Sequence, residues 1–220
     1  MRMSELSAAT GAPIATIKYY LREGLLAPGE RTSPNQANYG DAHVRRIRLV
    51  RALLGPGGLD VATAKDVVAA IDSDLPINHV FGIAQRAASV RLTGLGGDDE
   101  ALARVDELLA GLRIHPSNPG REAAAAVIAA FESTGQRHEP DWYRRSLEAA
   151  LVVAEADLDM VERRQGRDAQ AETVVVGTAL GDALFAALRR AAQEHVSTLR
   201  YEPVAPVEPD HREHPDVRQH

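Results

Sequence analysis

Apolar residues recur at three- and four-residue spacing along most of this 220-residue chain, and strand-like alternation is scarce. Aromatics make up only 4% of residues while alanine and leucine abound, so the expected fold is all-α. The length allows one large domain or two small ones, and two are expected. With 45% apolar and 25% charged residues, disordered and collagen-like architectures are excluded for the body of the chain. No run approaches the roughly 18 uninterrupted apolar residues of a membrane span. The richest stretch, residues 174–188, holds Asp182. No secretory segment is recognisable at Met1, so a cytoplasmic protein is expected. The absence of cysteine removes disulfides, thiolate metal sites, iron-sulfur clusters and cysteine nucleophiles together.

Charge is distributed unevenly. Residues 1–54 carry eight Lys or Arg against four acids, a surplus of +4, and the net charge of −6 leaves −10 for the remainder. A basic head on an acidic body is expected when one end meets a polyanion and the rest stays off it.

The head reads as compact helices. Residues 3–10 form a short helix with Ser4 available as N-cap, and Gly11 lets the chain turn. Pro13 suits the start of a second helix running to about Glu23, in which Ile14, Ile17 and Leu21 share a core-facing arc. Thr16, Tyr19 and Arg22 then point outward, with Lys18 and Tyr20 on the flanks. Helix, glycine turn and a second helix with a basic outer face is the helix-turn-helix arrangement, whose second helix enters the major groove. Tyr20 reads either as a half-buried packing residue or as a DNA contact. Residues 24–39, rich in Gly, Pro, Ser and Asn, predict a loop or two-stranded ribbon with its tip near residues 32–36. Arg31 and Tyr39 are its candidate phosphate donors. Asp41 caps a third helix with Val44, Ile47, Val50 and Leu54 buried and Arg45, Arg48 and Arg51 as a basic stripe. Asp60 caps a fourth.

Met3-Ser4-Glu5-Leu6, Thr10-Gly11, Thr16-Ile17-Lys18-Tyr19-Tyr20 and Gly24-Leu25-Leu26 together resemble the winged helix-turn-helix head of the MerR family of transcriptional regulators. The resemblance covers about residues 1–72. It implies Lys18, Tyr19 and Tyr20 on the recognition helix and Tyr39 as the wing tyrosine that touches phosphate. It also implies binding as a homodimer to inverted repeats in double-stranded promoter DNA. RNA polymerase would then be engaged indirectly, through a distorted promoter. Three positions depart from the pattern: Ala37 replaces an arginine, Leu21 an acid and Leu54 a basic residue. Wing anchoring then falls to Arg31, and promoter distortion is less strongly implied.

Beyond the head, helical segments are expected at 77–92, 99–112, 120–133, 141–164 and 172–200, forming a helical bundle over residues 73–201. Glycines at 94, 96 and 97 cut short the first candidate for a long pairing helix. The last helix offers Leu180, Leu184 and Leu188 with Gly177 and Gly181, which reads either as a dimer face or as an internal core stripe. Phe131, Trp142 and Tyr143, with His138 and Arg145 nearby, read either as the lining of an organic-effector pocket or as core anchors. Residues 202–220, proline-rich with His211 and His214, have the composition of a disordered tail that is solvated or binds metal weakly.

The motifs do not support an enzyme. Gly94-Leu95-Gly96-Gly97 follows no strand, and neither a serine elbow nor a His-Glu-x-x-His motif occurs. No cofactor, resident metal or membrane partner is expected. The expected function is a sequence-specific transcriptional regulator modulated by an organic ligand. The alternative is an architectural DNA-binding protein using the same head without a ligand.

Overall fold

The computed structural model describes residues 1–33, 36–93, 98–136 and 139–201. Residues 34 and 35 of the expected ribbon tip, the glycine-rich break at 94–97, His138 and the expected tail at 202–220 lie outside the described residues. By contact the chain divides into two compact units, Met1–Leu184 and a second beginning at Phe185. The fold is mostly α, as composition and periodicity predict, with one small two-stranded ribbon among the described residues.

Helices α1 (Met3–Thr10) and α2 (Ile14–Glu23) are joined through Gly11, whose φ of 63° places it in the left-handed region that glycine occupies without strain. Arg2, not Ser4, is the N-cap of α1: the Glu5 carboxylate reaches back to accept the Arg2 N–H at 2.6 Å, which fixes the start two residues earlier. Strands β1 (Glu30–Ser33) and β2 (Gln36–Asn38) pair antiparallel, Glu30 opposite Asn38 and Arg31 opposite Ala37. α3 (Asp41–Leu54) follows, and α4 (Val61–Ile71) is capped by Asp60, whose Oδ1 accepts the Thr63 N–H at 2.7 Å.

The head core gathers Leu6, Ile17, Leu25, Ile47, Val50 and Leu53, all fully buried. Two expectations shift. On α3 the buried face is Ile47, Leu49, Val50 and Leu53, with Val44 and Leu54 at its margin. On α2, Ile14, in the first turn, is 40% exposed.

The same apolar cluster continues past residue 72 into α5 (Ile77–Thr93) through Val80 and Ala84, and into α9 (Arg167–Tyr201) through Ala171, Val174, Val175 and Ala179. α9 is tied to the end of α4 by Arg167. Its guanidinium donates to the carbonyls of Ile71 at 2.6 Å, Ala70 at 3.2 Å and Leu75 at 3.0 Å, and to the Ser73 hydroxyl at 3.3 Å. These include carbonyls that the α4 C-terminus leaves without helical partners.

A separate cluster forms where α6 (Asp99–Leu108), α7 (Pro119–Ser133) and the first turn of α8 (Pro140–Glu162) meet, around Ala101, Val105, Ala125, Ile128 and Tyr143. The rest of α8 is thinly covered: beyond Tyr143 it buries only Val161, and Leu151, Val152 and Leu158 are exposed. In the second unit, Phe185, Leu188, Val196, Leu199 and Tyr201 are exposed. Among described helices, α9 alone is long and apolar enough to cross a membrane by length and composition, with a window of mean hydropathy 1.5. Its first half is spent on the core described above.

Asp157 on α8 lines a groove with Met160, Arg164, Glu172, Gly177 and Gly181, and Asp182 follows Gly181 on α9, close enough to Asp157 for the two carboxylates to repel. Burial, and then the Asp157 carboxylate, push the Asp182 pKa above its ordinary 3.8; burial raises Asp157 as well. A carboxyl with a raised folded pKa binds more protons folded than unfolded. Its penalty is therefore absent at low pH, grows as pH rises above 3.8, and is complete once pH exceeds the folded pKa. Asp182→Asn is accordingly expected to raise Tm at pH 7 and to lose that gain near the acid end. Thermal melts at both pH values check it, and an equal gain at both would assign the effect to something other than ionisation.

Candidate nucleic-acid interface

The outer side of α2 and the ribbon enclose a concavity of about 780 Å³, lined by Lys18 and Ile14 from α2, Arg31, Ser33, Gln36 and Ala37 from the strands, Tyr39 beyond them, and Arg2 to Ser4 from the start of α1. Among the described residues, three cations line it and no acid does. Local chemistry sets this arrangement. Lys18 lies about 100° around α2 from the buried Ile17, on the flank of the core-facing side, and is exposed. At the ribbon base the Met1 and Tyr39 backbones exchange two hydrogen bonds of 2.8 Å each, stapling β2 to the start of α1.

Gly29 lets Tyr39 lie flat against the ribbon base. A Cβ there would sit 2.6 Å from the Asn38 carbonyl oxygen and 2.8 Å from the Tyr39 ring, so only glycine leaves room. The ring meets His43 edge-on at 5.2 Å. Tyr39 is thus buried, although it borders the concavity. Arg2, which the sequence reading did not single out, belongs to the same wall, and its Nη1 donates to Thr32 Oγ1 at 3.3 Å. Its one advance signal is membership of the basic head.

The remaining sequence-predicted residues fall into two further groups. Thr16 and Tyr19 are half-buried on α2, and Arg22 is exposed with its guanidinium 5.1 Å from the centre of the Tyr19 ring. That contact stiffens the tyrosine without consuming the guanidinium donors. Tyr20 is only 5% exposed and lies beside Arg48 and Arg51, away from Lys18. Burial raises the pKa of its phenol, with Arg51 acting in the opposite sense, so the hydroxyl is neutral at pH 7. Of the α3 arginines, Arg51 donates to the Thr10 carbonyl at 2.7 Å and Arg48 to the Ala9 carbonyl at 3.3 Å, which satisfies the end of α1. Arg45 is exposed.

The candidate effector residues also come together. Phe131 and Trp142 rings stand 5.2 Å apart and Trp142 and Tyr143 5.4 Å apart, on the wall of a cleft between α7 and α8. Arg145 is exposed and outside that wall.

These features have counterparts in known proteins. Residues 1–71 match the family described as MerR HTH family regulatory protein. The nodulation protein NolA of Bradyrhizobium sp. (strain NC92) is 31% identical over 151 residues, covering 64% of this chain and 63% of NolA. The HTH-type transcriptional regulator ZntR homolog of Haemophilus influenzae is 36% identical over 50 residues, 23% of this chain and 37% of that protein. The chain thus spans less than two thirds of the length of the curated relatives it matches. A crystal structure of SCO5550, a candidate transcriptional regulator from Streptomyces coelicolor A3(2), superposes with a TM-score of 0.64 at 33% identity, covering 93% of this chain and all of that one. A match across the whole basic head, joined to end-to-end likeness with a regulator, reaches well past a shared fold: the chain belongs to the MerR family of helix-turn-helix regulators.

Proposed function

We propose that this protein is a cytoplasmic transcriptional regulator that binds promoter DNA as a homodimer through residues 1–72, with residues 73–201 pairing the protomers and receiving a small organic effector. The observation that carries the DNA reading is the α2–ribbon concavity, where Arg2, Lys18 and Arg31 converge with no acid among the described lining residues. Lys18 and Tyr19 meet base edges in the major groove, Ile14 supplies an apolar contact of the kind thymine methyls accept, and Arg31 holds phosphate from the ribbon. Thr16 and Arg22 flank this face. Tyr20, Tyr39, Arg45 and Arg48 act from behind or beside it, positioning the reading helix and the ribbon.

The homodimer reading is supported by unfinished apolar surface. A 23-residue helix that buries only two residues, and a second unit exposing Phe185, Leu188, Val196 and Leu199, leave apolar faces that a second copy covers. RNA polymerase enters only through the promoter that the dimer occupies. No resident cofactor or catalytic group is part of this reading.

Quantitative binding to an operator selected from genomic fragments tests the interface. Lys18→Ala and Tyr19→Ala are each expected to cost roughly 1–3 kcal/mol of specific affinity at unchanged Tm. Arg31→Ala is expected to weaken all sequences alike and to lower the salt slope by about one. Unchanged affinity in both α2 variants would remove this helix from the interface. The architectural alternative differs in outcome: it protects DNA diffusely, whereas a regulator protects one or a few inverted repeats upstream of particular genes.

A further inference from the structure

The cleft between α7 and α8 encloses about 550 Å³, a volume suited to a drug-sized molecule. Its walls carry Leu108, Val127, Phe131, Trp142, Tyr143 and Leu147, and room is made by the small residues Gly120, Ala123 and Ala124 of α7. It is not a finished core. Trp142 stays 44% exposed, and Val127 is exposed beside it, so large apolar surface faces an open space.

The polar side chains on the wall decide what the space accepts. Arg121 is held by Asp106 through two hydrogen bonds of 2.5 and 2.6 Å. Asn118 accepts the Gly120 N–H at 2.8 Å and donates to Gln85 at 3.4 Å. The Ser146 hydroxyl donates to the Trp142 carbonyl at 2.8 Å. Burial raises the Tyr143 pKa, so its phenol is neutral at pH 7. A charged ligand would be desolvated here and would meet an already neutralised ion pair. The rings of Phe131, Trp142 and Tyr143 form a tilted row, interplanar angles 41° and 43°, at centroid spacings that suit offset stacking against a further ring.

We infer that this cleft binds an uncharged, flat aromatic molecule, stacked on Trp142 and Phe131 and enclosed by the leucine and valine walls. This rests on the effector reading of the helical body given above, and binding and regulation are separable in the test. Trp142 is the one tryptophan of the chain, so its fluorescence reports occupancy directly.

Full-length protein is titrated with N-phenyl-1-naphthylamine, with its sulfonate 1-anilinonaphthalene-8-sulfonate, and with ethidium, a flat cation. The neutral probe is expected to quench Trp142 to saturation at one probe per chain, at least tenfold tighter than either charged probe. Filling the cleft with Ala150→Leu is expected to weaken that binding at least tenfold, whereas Ala149→Leu, off the cleft wall, leaves it unchanged. Equal or tighter binding of a charged probe overturns the inference. So does Trp142 emission that ignores the neutral probe, that ignores Ala150→Leu, or that shifts with protein concentration alone, which would mean that a second copy fills the cleft. If the neutral probe binds as expected while operator affinity stays constant, the ligand class stands and the effector reading fails.

Discussion

Replacing Leu188 and Leu199 by glutamate is expected to lower operator affinity at least about 100-fold while leaving the fold of each chain intact. Both side chains are exposed in the second unit, so neither substitution opens a cavity within one chain. In the homodimer reading they are covered by a second copy, and taking a glutamate carboxylate out of water there is costly. The loss at the operator then comes from valency. A paired head binds its second half-site as an intramolecular event, and separating the heads forfeits a gain of about 10²–10⁴. Sedimentation of the double variant is expected to show monomer, with helical content and Tm close to wild type. A variant that stays dimeric and binds normally would assign pairing to another face, with the exposed Leu151, Val152 and Leu158 of α8 the next to test.

Arg167→Ala is expected to cost about 2–4 kcal/mol of stability, a fall in Tm on the order of 5–10 °C for a chain of this size. One guanidinium serves the carbonyls of Ala70, Ile71 and Leu75; the Ser73 hydroxyl still reaches Ala70 without it, but the Ile71 and Leu75 carbonyls lose this donor. It also withdraws a cation from a helix C-terminus, where positive charge is favourable. Its ion pair with Asp168, at 3.7 Å to a fully solvated carboxylate, adds little. Arg167→Lys is expected to restore less than half, because an ammonium cannot span the same fork of acceptors. Denaturant melts decide it: a change below 1 kcal/mol would mean that water replaces the guanidinium without penalty.

What the sequence made legible were features with local causes. Gly11, Gly24 and Asp60 mark helix ends through backbone conformation or capping, and each marks one in the structure. The ribbon was visible because its turn residues punctuate a short stretch without helical period. Ile14 is exposed against that expectation because periodicity assigns a face to a residue without saying whether other elements close over it. Ser4 lost the cap of α1 to Arg2 because the Glu5 side chain selects the residue three positions earlier. Phe131, Trp142 and Tyr143 were visible as a cluster. That they border a cleft depends on Gly120, Ala123 and Ala124, whose small size reveals nothing until α7 is laid against α8. Arg167 gave no signal, since its partners lie more than ninety positions earlier.

The central claim is that the Lys18 side of α2 reads the major groove from two heads at once. Methylation protection of guanine N7 atoms on a selected operator, with wild type and Lys18→Ala compared at equal occupancy, tests it most directly. The account predicts two protected clusters about 10 base pairs apart, or a multiple of that, on one face of the duplex. Both should become reactive again in Lys18→Ala. A single cluster, or protection that survives unchanged when Lys18 is gone, would contradict it.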